Sequence, residues 1–111
     1  MTTWRATKLS VSPPSIQVAD NDREALAFDA GEAVTLASAI LRDLTAGTEV
    51  GPRTSAQAAT VAPLEVVALA GNIATVTVSG LTRGSTYEVG VTFTSAAGLR
   101  WTRTLIVECV G

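Results

Sequence analysis

Histidine is missing altogether from this 111-residue chain, and cysteine occurs once, at Cys109. Without histidine, the commonest general base, the usual nucleophile–base pairs and most catalytic zinc sites are lost together. With one cysteine, an intrachain disulfide is impossible and a protein-only zinc site is short of soft ligands. No cofactor is expected, and a chain with a single thiol is expected to fold in a reducing cytoplasm. Charged residues are also scarce, at 16%, where soluble domains carry roughly 25%. The net charge of -2 gives no electrostatic reason to expect nucleic acid or an anionic membrane as partner. No apolar run is long enough to span a bilayer. The first residues lack the apolar core and cleavage site of a secretory signal.

What is present reads as short strands. A hydrophobic fraction of 47% suits a packed globule, and the length suits one domain. Residues 1–24 differ from the rest. Pro13-Pro14 forbids helix and favours an extended run, and residues 20–24 are polar. This segment reads as an extended N-terminal arm, with edge strands expected at 8–11 and 16–19. A sandwich is expected over 25–111. Residues 25–29 form a short strand ended by a Gly31-Glu32 turn. Residues 33–41 alternate, with Val34, Leu36 and Ile40 on one face and Ala33, Thr35, Ala37 and Ala39 on the other. Helix competes there through alanine and leucine, but β-branched Val34, Thr35 and Ile40 favour a strand. The stretch 42–63, broken by Gly47, Gly51, Pro52 and Pro63, holds one or two short strands around a loop.

The last third is the most regular. Residues 64–70 and 73–78 flank a Gly71-Asn72 hairpin signal. Across 86–94, Tyr87, Val89, Val91 and Phe93 alternate with Glu88, Gly90, Thr92 and Thr94. A turn at 95–98 leads into a closing strand whose apolar face carries Leu99, Trp101, Leu105, Val107 and Cys109. Arg103 interrupts that face, which predicts a bulge or a sheet-edge exit there. Turns about every 8–12 residues between alternating strands are the pattern of an all-β sandwich.

The stretch Val76-Thr-Val-Ser-Gly-Leu81-Thr-Arg-Gly84-Ser-Thr-Tyr87 resembles the corner of fibronectin type III and related immunoglobulin-like domains. In those domains a leucine ends one strand, a glycine-containing turn crosses between sheets, and a tyrosine starts the next. The resemblance implies that Leu81 and Tyr87 are core residues and that Gly84 supplies the turn conformation. It speaks to fold and not to function. From Arg23 to Val110 the layout is also similar to small structural proteins of tailed bacteriophages, the fibre–tail adaptors and capsid decoration proteins. The matching stretches are Phe28-Asp29 with Gly31-Glu32, Gly84-Ser-Thr-Tyr87, and Ala97-Gly98-Leu-Arg-Trp-Thr-Arg103, while Ala30 stands where that layout has an aromatic. This resemblance implies a non-enzymatic virion protein, made in the host cytoplasm and held in many copies by tail, fibre or capsid subunits.

Several residues invite sharper readings. Residues 20–24 place oxygen ligands at alternate positions, as a calcium loop begins, but the loop glycine and distal glutamate are missing. Asp29 and Glu32 could pair as acid and base, although turn polarity explains them better. Trp4 and Trp101 could form a sugar platform, which would make the chain a carbohydrate-binding or adhesion module. Against this, aromatics are only 5% of the chain and Trp101 lies on an apolar strand face. The expected partner-binding residues are therefore those of the arm: Trp4 as a pocket anchor, with Pro13, Pro14, Ile16 and Val18 as an extended clamp.

Overall fold

The computed structural model describes residues 15–19, 22–57 and 62–110. These form eight strands: β1 (Ser15–Val18), β2 (Arg23–Asp29), β3 (Leu36–Asp43), β4 (Thr48–Thr54), β5 (Leu64–Ala70), β6 (Ile73–Ser79), β7 (Thr86–Thr94) and β8 (Arg100–Cys109). One sheet has the order β1-β8-β7-β3-β4 and the other β2-β6-β5. The chain is all-β, and its two sheets make a sandwich. All pairings are antiparallel except β1 with β8, which is parallel.

Strand β7 shows why the sandwich forms. It is central in its sheet, and its β-branched and aromatic residues suit a pleated surface. Tyr87, Val89, Val91 and Phe93 are buried while their neighbours face outward. Opposite them, Leu26 and Phe28 of β2, Leu64 and Val67 of β5, and Val76 and Val78 of β6 close the core. Each fully buried Val, Leu or Phe contributes roughly 1.5–3 kcal/mol.

The structure departs from the sequence reading at four places. In β3 the buried face is Ala37, Ala39 and Leu41, whereas Leu36 and Ile40 point outward and are only half-buried. The small residues suffice inside because Ala37 pairs with Phe93 and Ala39 with Val91, whose bulk fills the same layer. In β8 there is no bulge at Arg103. Pairing with β7 runs unbroken from Thr86↔Glu108 to Thr94↔Arg100, and Arg103 stays inward at 4% exposure. Leu99, expected on the inner face, precedes the strand and is 64% exposed.

The fourth departure concerns the arm. Residues 15–18 are hydrogen-bonded along β8, with Ile16 opposite Val107 and Val18 opposite Cys109. Ile16 packs on the core and Val18 belongs to it. The sandwich therefore begins before residue 25, and these two side chains are turned into their own domain rather than towards a partner. The expected strand at 8–11, and Pro13 and Pro14, lie outside the described residues.

Edge strand β4 bends at Gly51, whose φ is +108°, and a Cβ there would sit 2.8 Å from the Ala39 carbonyl oxygen. The register with β3 slips at the same point, between Ala39 and Leu41. Only glycine fits that approach.

Candidate docking surfaces

The turn from β6 to β7 is built around Tyr87. Its ring is buried at 5% exposure, and its hydroxyl accepts a 2.7 Å hydrogen bond from the Thr82 N–H. Leu81 is equally buried, and Gly84 takes a φ of +85° on the exposed side of the turn. Gly84 N–H donates to the Cys109 carbonyl at 2.8 Å, and Cys109 N–H to the Ser85 carbonyl at 3.0 Å. The turn is thus tied to the end of β8. The Cys109 thiol is buried and lies 3.6 Å from the Leu81 carbonyl oxygen, which it can reach as a weak donor.

At the opposite end, Asp29 organises the loop after β2. Its Oδ1 accepts from Gly31 N–H at 2.8 Å and from Asn72 Nδ2 at 2.9 Å. The carboxylate is therefore committed to holding two turns together, which is what turn polarity requires of it. Asn72, read in the sequence only as half of a hairpin turn, carries that link. Nothing in the linear sequence pairs it with Asp29 until β2 and β6 are in register. Trp101 is half-buried, its indole N–H donates to the Ala30 carbonyl at 3.2 Å, and its ring lies 6.2 Å from that of Phe93. It packs against the core. Trp4 lies outside the described residues.

Among the described residues no group of three or more His, Cys, Asp or Glu side chains could hold a metal ion. Asp22, from the calcium-like stretch, accepts from the Ala19 N–H at 3.3 Å, while Asp20 and Asn21 lie outside the described residues. Among the described residues no helix is long and apolar enough to cross a membrane.

Two concavities flank the Tyr87 turn. One, of about 150 Å³, lies between Leu41, Val50, Pro63 and Tyr87. The other, of about 320 Å³, is bordered by Arg83, Gly84, Glu108 and Cys109. The first is lined by strand residues of β3, β4 and β7 with Pro63, Gly80 and Thr82, the second by residues 83–86 and 108–110. They lack the convergent polar groups that mark a small-molecule site.

The broad surfaces are more informative. Strand β4 is exposed from Thr48 to Pro52 and forms one edge of the large sheet. The outer face of that sheet is rich in Thr and Ile, including Ile40, Thr92, Thr102, Thr104 and Ile106. Its charge is concentrated where Arg42 sits between Glu49 and Glu88, at 2.9 and 2.8 Å. Both carboxylates hold the guanidinium charged and raise its pKa, Glu88 the more strongly. The outer face of the small sheet is smaller still in its side chains, with Ala25, Ala27, Thr75, Ala68 and Ala70. Leu36 and Ile40 were not legible as outward-facing, because an apolar residue in an alternating strand is read as core; Ile106, between inward Leu105 and Val107, falls outward as the alternation of β8 requires. No family model and no curated protein matches the chain, so any functional reading rests on these surfaces.

Proposed function

We propose that this chain is a non-enzymatic virion structural protein of a tailed bacteriophage, an immunoglobulin-like sandwich that docks onto tail, fibre or capsid subunits in multiple copies. The observation that carries the reading is the pair of outer sheet faces, rich in Thr, Ala and Ile, bordered by the edge strand β4, exposed from Thr48 to Pro52. Such surfaces pack closely against neighbours and offer main-chain hydrogen bonds along an edge. The immunoglobulin-like assignment is supported by the order β1-β8-β7-β3-β4 facing β2-β6-β5, together with the Tyr87 hydroxyl bonded five residues upstream. The chemistry is binding: the acidic side chains at Asp29 and Glu65 are engaged in holding turns and strands.

In this reading residues 1–14 supply the clamp, with Trp4 filling a pocket on the neighbour. Virions purified from a producing strain by density gradient should carry the full chain in the particle band. Deleting residues 1–14 should remove it from that band, while the shortened chain keeps its β-sheet circular dichroism and cooperative melt. A full-length chain that stays in the soluble fraction defeats the virion reading. A shortened chain that still co-bands defeats the clamp.

A further inference from the structure

We infer that the outer face of the five-stranded sheet is self-complementary and docks a second copy of this chain, sheet on sheet, with the strands running in opposite directions. This docking does not depend on the virion reading and would hold for the isolated protein.

The outward rows follow from the register. The middle row is Ile40–Gly90–Thr104. Towards one end come Ser38–Thr92–Thr102 and then Leu36–Thr94–Arg100. Towards the other come Arg42–Glu88–Ile106 and then Leu44–Thr86–Glu108, where Leu44 N–H bonds the Thr86 carbonyl at 2.8 Å. A two-fold axis lying in the contact plane along the middle row reverses the strands and lays β8 over β8 and β3 over β3. Arg100 then faces Glu108 of the second copy, since both stand four residues from Thr104 (104 − 100 and 108 − 104). By the same operation Leu36 faces Leu44, which is 51% exposed in the single chain. Each contact occurs twice, as a two-fold interface requires. Arg42 is already shared between Glu49 and Glu88; Glu108 accepts from the neutral Gln17 amide at 3.4 Å, and with Arg100 it places opposite charges at the two ends of β8.

Gly90 provides the second argument. Its φ is not in the left-handed region, and a Cβ there would meet nothing within 4 Å. Neither backbone conformation nor packing within the single chain calls for glycine in the middle of the central strand. The register with β3 and β8 runs unbroken through Gly90, so it makes no bulge, and the close approach of another backbone is a further use of a strand glycine. On the proposed axis Gly90 lies opposite its own copy, so both sheets gain clearance at one point. Around it, Leu36, Ile40 and Ile106 do not join the core cluster and are half-buried apolar groups on an outward face. The face is about 27 Å long at 3.3 Å per residue along β8 and about 20 Å wide across its strands. That footprint is at the lower end of specific dimers, so the dimer should be reversible.

Sedimentation velocity on the full chain, from micromolar to millimolar concentration, tests this. A reversible monomer–dimer equilibrium is expected. Gly90→Lys, which the open space around Gly90 lets fold, should abolish it, with a cooperative melt verifying the fold. Arg100→Glu should weaken dimerisation by about tenfold or more, because like charges then meet twice. Adding Glu108→Arg to that variant should restore it. A chain that stays monomeric at every concentration overturns the inference. So does a dimer that survives Gly90→Lys, a charge reversal that the second substitution does not rescue, or a ladder of higher oligomers. Any of these leaves the virion reading standing, since that is judged by co-banding with particles.

Discussion

Tyr87 and Arg103 sit on neighbouring strands, and both turn a polar side chain inward. Tyr87 lies at one end of the sandwich and Arg103, opposite Val91, on the side of the middle that leads to the other end. Their burial is nearly identical, at 5% and 4% exposure, yet their circumstances differ. The Tyr87 ring fills core volume and delivers its hydroxyl to the rim, where Thr82 N–H meets it at 2.7 Å. The Arg103 guanidinium donates through NH1 to the Thr102 carbonyl at 3.2 Å, but its Nε is buried without a partner. Burial pulls the Arg103 pKa below the usual arginine value, and the Asp29 charge only partly opposes that. A polar atom at the far end of a rigid apolar group can be buried cheaply. A delocalised charge with several donors cannot, because each donor needs its own partner.

Removing the Tyr87 hydroxyl should produce the largest effect. Tyr87→Phe keeps the ring and strands the Thr82 N–H, which costs about 1–2 kcal/mol. For a chain of this size that is a fall in Tm of about 5–10 °C, measurable by calorimetry. An unchanged Tm would mean that the hydroxyl is decorative and that water replaces it without loss.

The Arg103 end should respond in the opposite sense. Arg103→Met keeps most of the apolar volume and removes the unsatisfied Nε and the desolvated charge. Asp29 retains its bonds from Gly31 and Asn72, so no carboxylate is orphaned. Replacing a buried ionic group by a hydrophobe of similar size is neutral or stabilising, and here a gain of about 1 kcal/mol in urea unfolding is expected. A loss of stability in Arg103→Met would show that the guanidinium is fully satisfied and that the two ends are alike.

The same contrast explains what was legible in the sequence. Strand β7 was readable because its inward residues are all large and its outward ones all small or polar. The Tyr87 corner was readable because leucine, glycine and tyrosine each have one local job at fixed spacing. Strand β3 was not, since its inward face is carried by Ala37 and Ala39, whose large partners Phe93 and Val91 lie more than fifty residues away. Arg103 was misread for a related reason: an arginine in an apolar face suggests a break, and only the continuous ladder with β7 shows that the strand holds. Strand β1 joins β8 across nearly the whole chain, as the 3.4 Å contact from Gln17 to Glu108 illustrates. No local pattern announces such a parallel pairing. The surfaces were legible only as a shortage of charge, because which Thr and Ile share a face depends on register.

The smallest effect lies in the pH response of the Tyr87 end, where a buried charge is well served. Glu65 is 7% exposed and lies where β5 slips register against β6. The Ser79 hydroxyl donates to it, and Arg23 Nε reaches it at 2.8 Å, so its carboxyl titrates below the usual range, Ser79 contributing most. A native pKa below the unfolded value of about 4.3 means the unfolded chain binds the proton first as pH falls. The stabilisation from Glu65 is therefore complete above that unfolded value and declines as pH drops through the lower native one. Because the Arg23 side chain is 65% exposed, solvent screens its share and the effect is modest. Urea unfolding of the native chain and Glu65→Gln should differ at pH 7 and converge towards pH 3. Arg103→Met should give no such convergence, since an arginine stays protonated throughout that range. If both variants track the native chain in parallel, Glu65 is no better satisfied than Arg103, and the contrast between the two ends fails at its polar groups.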